Sequence, residues 1–154
     1  MTIEGQQTQE APQALADPLA AGPRVGIIMG SQSDMDVMRK AGDVLTEKGI
    51  GWEIEVMSAH RTPDRVVEYC RGAHARGLKV LIAGAGLSAA LPGVAAAHTD
   101  LPVIGVPLSS SLSAAGGLDA ILSVVQMPPG VPVACVGLDN AKNAGHLAAR
   151  ILQS

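Results

Sequence analysis

Phenylalanine is missing altogether from this 154-residue chain, and one Trp and one Tyr are its only Phe/Trp/Tyr-type aromatics. With 47% hydrophobic residues but 1% aromatic ones, the core has to be assembled from Ala, Val, Ile, Leu and Met. Together with 18 glycines, that supply suits closely spaced layers of helix and sheet better than an aromatic-rich sandwich. Excess positive charge is lacking too. The net charge is −3, and Glu4, Glu10 and Asp17 in the first 23 residues account for it. The neutral remainder gives no sign of a basic face for nucleic acid or of an electrostatic membrane anchor. There is no uninterrupted apolar run of membrane length: residues 80–97 are broken by Gly84, Gly86, Pro92 and Gly93, whereas a span needs about 20 apolar residues. Cysteine is scarce, with Cys70 and Cys135 alone. They read as small buried hydrophobes in a reducing compartment, and with the four histidines they show no metal-ligand spacing. The basic start and apolar centre of a secretory signal are absent as well, so a cytoplasmic location is expected. Residues 1–23, rich in Gln, Ala and Pro, read as a disordered or arm-like tail ahead of a single α/β domain over residues 24–154.

What is present is an alternation of short apolar runs with helical patterns. Strands are expected at Arg24–Met29, Trp52–Met57, Lys79–Ala83, Pro102–Val106 and Val131–Val136. Helices are expected near Asp34–Lys48, Pro63–Arg76, Pro92–His98, Leu118–Val125 and Asn140–Leu152. Thr62 stands where an N-cap belongs, with Pro63 in the first helical position, and Asp139 stands as the cap of the last helix. Runs such as Val25-Gly26-Ile27-Ile28 call for a parallel sheet of about five strands covered on both faces.

In such a sheet, ligands bind beyond the carboxyl ends of the strands, and the unusual loops all fall there. After the first strand comes Gly30-Ser31-Gln32-Ser33-Asp34. Gly30 admits close backbone approach. Ser31, Ser33 and the free N–H groups of a helix start suit an anion, and Asp34 suits sugar hydroxyls. An ordinary N-cap would use the same residues. After the second strand, Arg61 offers a planar bidentate fork for phosphate, and His60 is the side chain best fitted to exchange protons near neutral pH. The small-residue loop opening with Gly84-Ala85 either closes on a flat ligand or is a tight packing turn. The stretch from Ser109 to Gly117 either forms a lid or simply connects. His74, His98 and His146 lack a catalytic context.

Taken together, Gly30-Ser31-Gln32-Ser33-Asp34, Ser58-Ala59-His60-Arg61-Thr62-Pro63, Leu91-Pro92-Gly93, Leu101–Pro107 and Val125-Gln126-Met127-Pro128 resemble the N5-carboxyaminoimidazole ribonucleotide mutases of bacterial purine biosynthesis. These form the catalytic-subunit family of bacterial phosphoribosylaminoimidazole carboxylase, and the match runs over residues 24–152. The resemblance implies a three-layer flavodoxin-like, Rossmann-like subunit in a homo-octamer. It implies a small imidazole ribonucleotide as substrate, with no metal or organic cofactor. It also implies that Ser31, Ser33, Asp34 and Arg61 hold the substrate, with Gly84 and Ala85 against it, and that His60 transfers the proton. The chain departs from the family pattern at Ala90, where a histidine is usual, and at Leu87-Ser88, usually Gly-Ala. Met35 and Ala120 replace the usual Trp and Ser, and the lid between Pro107 and Leu118 is about two residues longer than the common form. Other expectations for such a departure are a direct aminoimidazole ribonucleotide carboxylase, a carboxylase of the nickel-pincer-cofactor type, or a catalytically weakened nucleotide-binding subunit.

Overall fold

A computed structural model describes residues 21–154; most of the tail expected over residues 1–23 lies outside the described residues. The elements alternate as β1 (Val25–Met29), α1 (Met35–Glu47), β2 (Trp52–Val56), α2 (Pro63–Ala73), β3 (Val80–Gly86), α3 (Leu91–Ala97), β4 (Val103–Leu108), α4 (Leu118–Val125), β5 (Ala134–Cys135) and α5 (Ala141–Gln153). The five strands form one sheet in the order β2-β1-β3-β4-β5, and every neighbouring pair is parallel. This is the three-layer flavodoxin-like arrangement expected of the sequence. Among the described residues no helix is long and apolar enough to cross a membrane.

Alternation along the strands sends side chains to opposite faces. Val25, Ile27, Met29, Val80, Ile82, Ile104 and Val106 meet Met38, Ala41 and Leu45 of α1 and Ala141, Ala144 and Ala148 of α5. Ile28, Leu81, Ala83 and Val103 meet Val66, Cys70 and Ala73 of α2 and Leu91 and Ala95 of α3. Val124 of α4 covers the bare Cα of Gly105 on that second face. With no Phe to fill space, neighbouring elements approach through missing side chains. A Cβ on Gly145 of α5 would lie 2.6 Å from the Ala41 carbonyl oxygen of α1, and one on Gly42 would meet the Trp52 indole.

Strand β2 lies at the sheet edge and is only partly buried. Its outer face carries Glu53 and Glu55, which pair with Arg76 and Arg65 at 2.7 Å each. Tyr69 of α2 donates to Glu53 at 2.7 Å beneath the Arg76 guanidinium. Burial and the neighbouring Glu53 carboxylate both push the Tyr69 phenol far above its usual range, so it stays a neutral donor.

Several boundaries differ from the sequence reading. The fifth strand is two residues, not the six of Val131–Val136, because it pairs only at Ala134 and Cys135 on the far edge, and Pro132 has no N–H to extend the ladder. Cys135 is accordingly half-buried, while Cys70 is buried. Helix α2 ends at Ala73, where the chain turns down to Gly77 with φ +94°. Thr62 makes no side-chain cap bond. The last helix is capped by Asn140, whose side chain accepts from the Asn143 N–H at 3.1 Å, and not by Asp139. The Asp139 carboxylate is committed elsewhere, to Ser109.

Gly145 sits against backbone, which cannot swing aside, so Gly145→Val should force α5 off α1. The expected loss is about 1–3 kcal/mol, seen as a lower urea midpoint with an unchanged slope. An unchanged midpoint would show that the α1–α5 contact is looser than described.

Candidate active site

The order of the sheet reverses beside β1: the chain crosses to β2 on one side and later to β3 on the other. The loops leaving β1, β2, β3 and β4 therefore diverge around a crevice at the strands' carboxyl ends. They enclose a cleft of about 540 Å³ lined by Ser31, Ser33, Asp34, Ser58, His60, Arg61, Ala85, Ala90, Ser109 and Leu112, among others. A larger hollow of about 720 Å³ lies at the opposite strand ends, among residues 96–103 and 130–132. The four candidate loops do not reach it.

The loop after β1 is a short 3-10 turn, Gln32–Asp34, entered through extended Ser31. The Ser31 hydroxyl accepts from the Ser33 N–H at 3.3 Å and lies 2.9 Å from the Ser33 hydroxyl. The Asp34 N–H donates back to the Ser31 carbonyl at 3.1 Å. These bonds hold two hydroxyls and a helix start together at the mouth of the cleft, a natural anion seat.

The loop after β2 is stapled by its own ends. Ser58 N–H donates to the Thr62 hydroxyl at 3.0 Å, and the Thr62 N–H and hydroxyl donate to the Ser58 carbonyl at 2.9 and 3.2 Å. That mutual pairing is why Thr62 caps no helix. Inside the staple, the Ser58 hydroxyl accepts from the N–H groups of His60 and Arg61 at 3.3 and 3.1 Å. His60 is thereby presented on a fixed backbone with its ring exposed to the cleft. Arg61 reaches across and donates through Nη2 to the Gly30 carbonyl at 2.7 Å. One donor ties the β2 loop to the β1 loop. The guanidinium carries five N–H donors and enters no ion pair among the described residues, so the others are left to grip an oxyanion.

Ala85 lines the cleft. Gly84 lies beneath it, buried on the α1 side, where a Cβ would run into Met38 and Leu108; it supports the site floor without facing the ligand space. Leu87 holds a left-handed φ of +56° at the rim, a conformation costly for a side chain of its size. Ala90 sits on the cleft wall at the foot of α3. Among the described residues no three His, Cys, Asp or Glu side chains converge as a metal seat.

Ser109, just past β4, was visible in the sequence only as the start of the Ser109–Gly117 stretch, and its partner Asp139, 30 residues on, which accepts from its N–H at 2.8 Å, was not visible as a site residue at all. No local spacing signals that pairing. Burial lifts the Asp34 carboxyl above its ordinary 3.8, and the negative charge of Asp139 lifts it further, while a backbone hydrogen bond with Ser31 opposes them.

Comparison with known proteins points to one family. A family model described as AIR carboxylase matches residues 24–154. The chain is 60% identical over 130 residues to the N5-carboxyaminoimidazole ribonucleotide mutase of Thermotoga maritima, covering 84% of this chain and 75% of that protein. It is 55% identical over 136 residues to the phosphoribosylaminoimidazole carboxylase of Schizosaccharomyces pombe, covering 88% of this chain but 24% of that longer protein. Among solved structures, Treponema denticola PurE superposes with a TM-score of 0.74 at 37% identity, covering 85% of this chain and 80% of that one.

A carboxyl whose pKa is higher folded than unfolded favours the folded state below its unfolded value and withdraws that favour as pH rises through the folded one. At neutral pH, ionised Asp34 is therefore a cost to the fold. Asp34→Asn should raise Tm at pH 7, with the gain shrinking as pH falls through the raised pKa toward the ordinary 3.8 and gone below it. A Tm at pH 7 equal to or below that of the parent protein would contradict the raised pKa.

Proposed function

The chain belongs to the AIR carboxylase family, and on that premise we propose that it is an N5-carboxyaminoimidazole ribonucleotide mutase, an isomerase of purine biosynthesis. The observation that carries the reading is the meeting of His60, Arg61, Ser31, Ser33 and Asp34 in one cleft at the reversal of strand order. A basic fork and two hydroxyls for a phosphate, a carboxylate for ribose hydroxyls and a proton-transfer imidazole are the groups this substrate needs.

In this mechanism Arg61, Ser31 and Ser33 hold the phosphate and Asp34 the ribose, so the imidazole ring lies against Ala85 beside His60. Protonated His60 gives its proton to the exocyclic nitrogen as the bond from that nitrogen to the carboxylate carbon breaks, and neutral carbon dioxide leaves. The ring carbon then attacks the trapped carbon dioxide, forming the new carbon–carbon bond. Neutral His60 removes the proton from that ring carbon and is restored. No proton or electron is gained or lost overall. Holding carbon dioxide beside its nucleophile replaces a bimolecular encounter with a local one.

The working unit in this reading is the domain over residues 24–154, assembled as a homo-octamer in the cytoplasm. Leu118, Leu122 and Val125 leave an exposed apolar stripe along α4 that supports such assembly. Ala90 on the cleft wall, with the carboxylase name of the Schizosaccharomyces pombe relative, favours direct carboxylation of aminoimidazole ribonucleotide as the second reading.

Purified protein given N5-carboxyaminoimidazole ribonucleotide should form the ring-carboxylated product without ATP, followed by ultraviolet absorbance. Turnover of aminoimidazole ribonucleotide with bicarbonate, and none of the carboxyamino substrate, would replace the first reading by the second. His60→Asn should lower kcat by about a hundred- to ten-thousand-fold while nucleotide binding persists; loss of both would make His60 structural. Arg61→Ala should raise KM by about ten- to a hundredfold, the worth of a charged hydrogen bond. An unchanged KM would take the phosphate away from Arg61.

A further inference from the structure

Asp139 is left over by both the fold and the mechanism. It stands one place before the α5 cap, in a left-handed conformation with φ +57° that Asp and Asn tolerate better than other side chains. From there it takes over where the sheet stops. The β4–β5 ladder ends at Gly105 and Cys135. Beyond it the Val136 N–H reaches the Gly105 carbonyl at 3.1 Å, and the Asp139 N–H reaches the Pro107 carbonyl at 2.8 Å. The carboxylate then receives the next residue of β4's exit: the Ser109 N–H donates to Oδ1 at 2.8 Å, and the Ser109 hydroxyl donates to Oδ2.

Ser109 lines the cleft, directly before Ser110 and the exposed tip at Leu112. A serine hydroxyl has one proton and two lone pairs. With both its N–H and its hydroxyl proton committed to Asp139, Ser109 has only lone pairs to offer a ligand. We propose that Asp139 is a positioning residue of this site, which by accepting both donors of Ser109 fixes that serine as a hydrogen-bond acceptor in the cleft wall for a hydroxyl or amino group of the bound nucleotide. The two walls then differ in polarity. Arg61 and the one hydroxyl proton left free by the Ser31–Ser33 bond are donors for a phosphate, and Ser109 presents an acceptor to the sugar hydroxyls or the ring amine. An anion bound in reverse would meet lone pairs. The assignment rests on the nucleotide reading above and adds to it the residue that sets ligand orientation.

Asparagine at 139 suits the same backbone and still accepts from the Ser109 N–H, but its amide donates toward the Ser109 oxygen and turns the hydroxyl proton into the cleft. By calorimetry, Asp139→Asn should weaken binding of aminoimidazole ribonucleotide about tenfold. KM for the carboxyamino substrate should rise in proportion with kcat nearly unchanged. Ser109→Ala should do the same, and the double variant should be no worse than either single one, because both remove one interaction. A residue that merely braced the fold would instead lower Tm and kcat in both backgrounds. Ribose 5-phosphate separates the two donors: a weakened affinity in Asp139→Asn identifies a sugar hydroxyl, an unchanged one the ring amine. Unchanged affinity for aminoimidazole ribonucleotide in Asp139→Asn, or losses that add in the double variant, would overturn the assignment. Parent protein that binds this nucleotide but turns over neither substrate would count against the mutase reading alone, since the binding comparison does not need turnover.

Discussion

Everything at the active end of this protein depends on the reversal of strand order beside β1. Because β2 lies on one side of β1 and β3 on the other, the loops leaving these strands cannot close over each other, and a crevice opens between them. The bond from Arg61 to the Gly30 carbonyl at 2.7 Å bridges two of those loops. It makes one wall out of two segments that the sheet alone would leave independent. On the other side, Asp139 ties the exit of β4 to the approach to α5. The groups proposed as anion seat, proton-transfer residue and acceptor wall are thus brought to one place by topology and held there by a few side-chain-to-backbone bonds.

That economy is made possible by small residues. A chain without Phe buries its core by bringing elements close: Gly26, Gly84 and Gly105 are points where a Cβ would meet a helix packed on the sheet, and Gly145 is where one would meet the neighbouring helix α1. Gly84 links the two themes. Its bare Cα lets Met38 of α1 pack directly under the strand, so the next residue, Ala85, lies at the cleft floor without a bulge. Dense packing below gives the loops above a rigid base, which a reaction depending on close placement requires.

Strands β1, β3 and β4 were legible in the sequence because a strand buried on both faces must read as a continuous apolar run, and the loops that follow them were legible because ligands collect at those ends. The β5 boundary was not, since Val131–Val136 is apolar whether or not it pairs, and Pro132 at a sheet edge decided the matter. Thr62 and Asp139 share a different lesson. Each is a residue type favoured at an N-cap and stands next to a helix. Thr62 instead staples its own loop to Ser58, and Asp139 serves Ser109, 30 residues away in the chain. Local spacing reports what a side chain is able to bond, while the competition among partners is settled by how the loop closes on itself, as at Thr62, or by tertiary neighbours, as at Asp139. Ala90 was visible as a departure from the family pattern, and its position on the cleft wall gives that departure a place in the chemistry.

Passage of the carboxylate from nitrogen to carbon without leaving the cleft is the step on which the proposed mechanism turns. It is tested most directly by supplying N5-carboxyaminoimidazole ribonucleotide carrying carbon-13 in its carboxylate, in unlabelled bicarbonate buffer, and measuring the isotope in the product by NMR. Retention of the label at the enrichment of the substrate is the predicted result. A product whose new carboxyl carbon comes from the bicarbonate would contradict it, because the carbon dioxide would then have escaped before His60 and the ring carbon could recapture it.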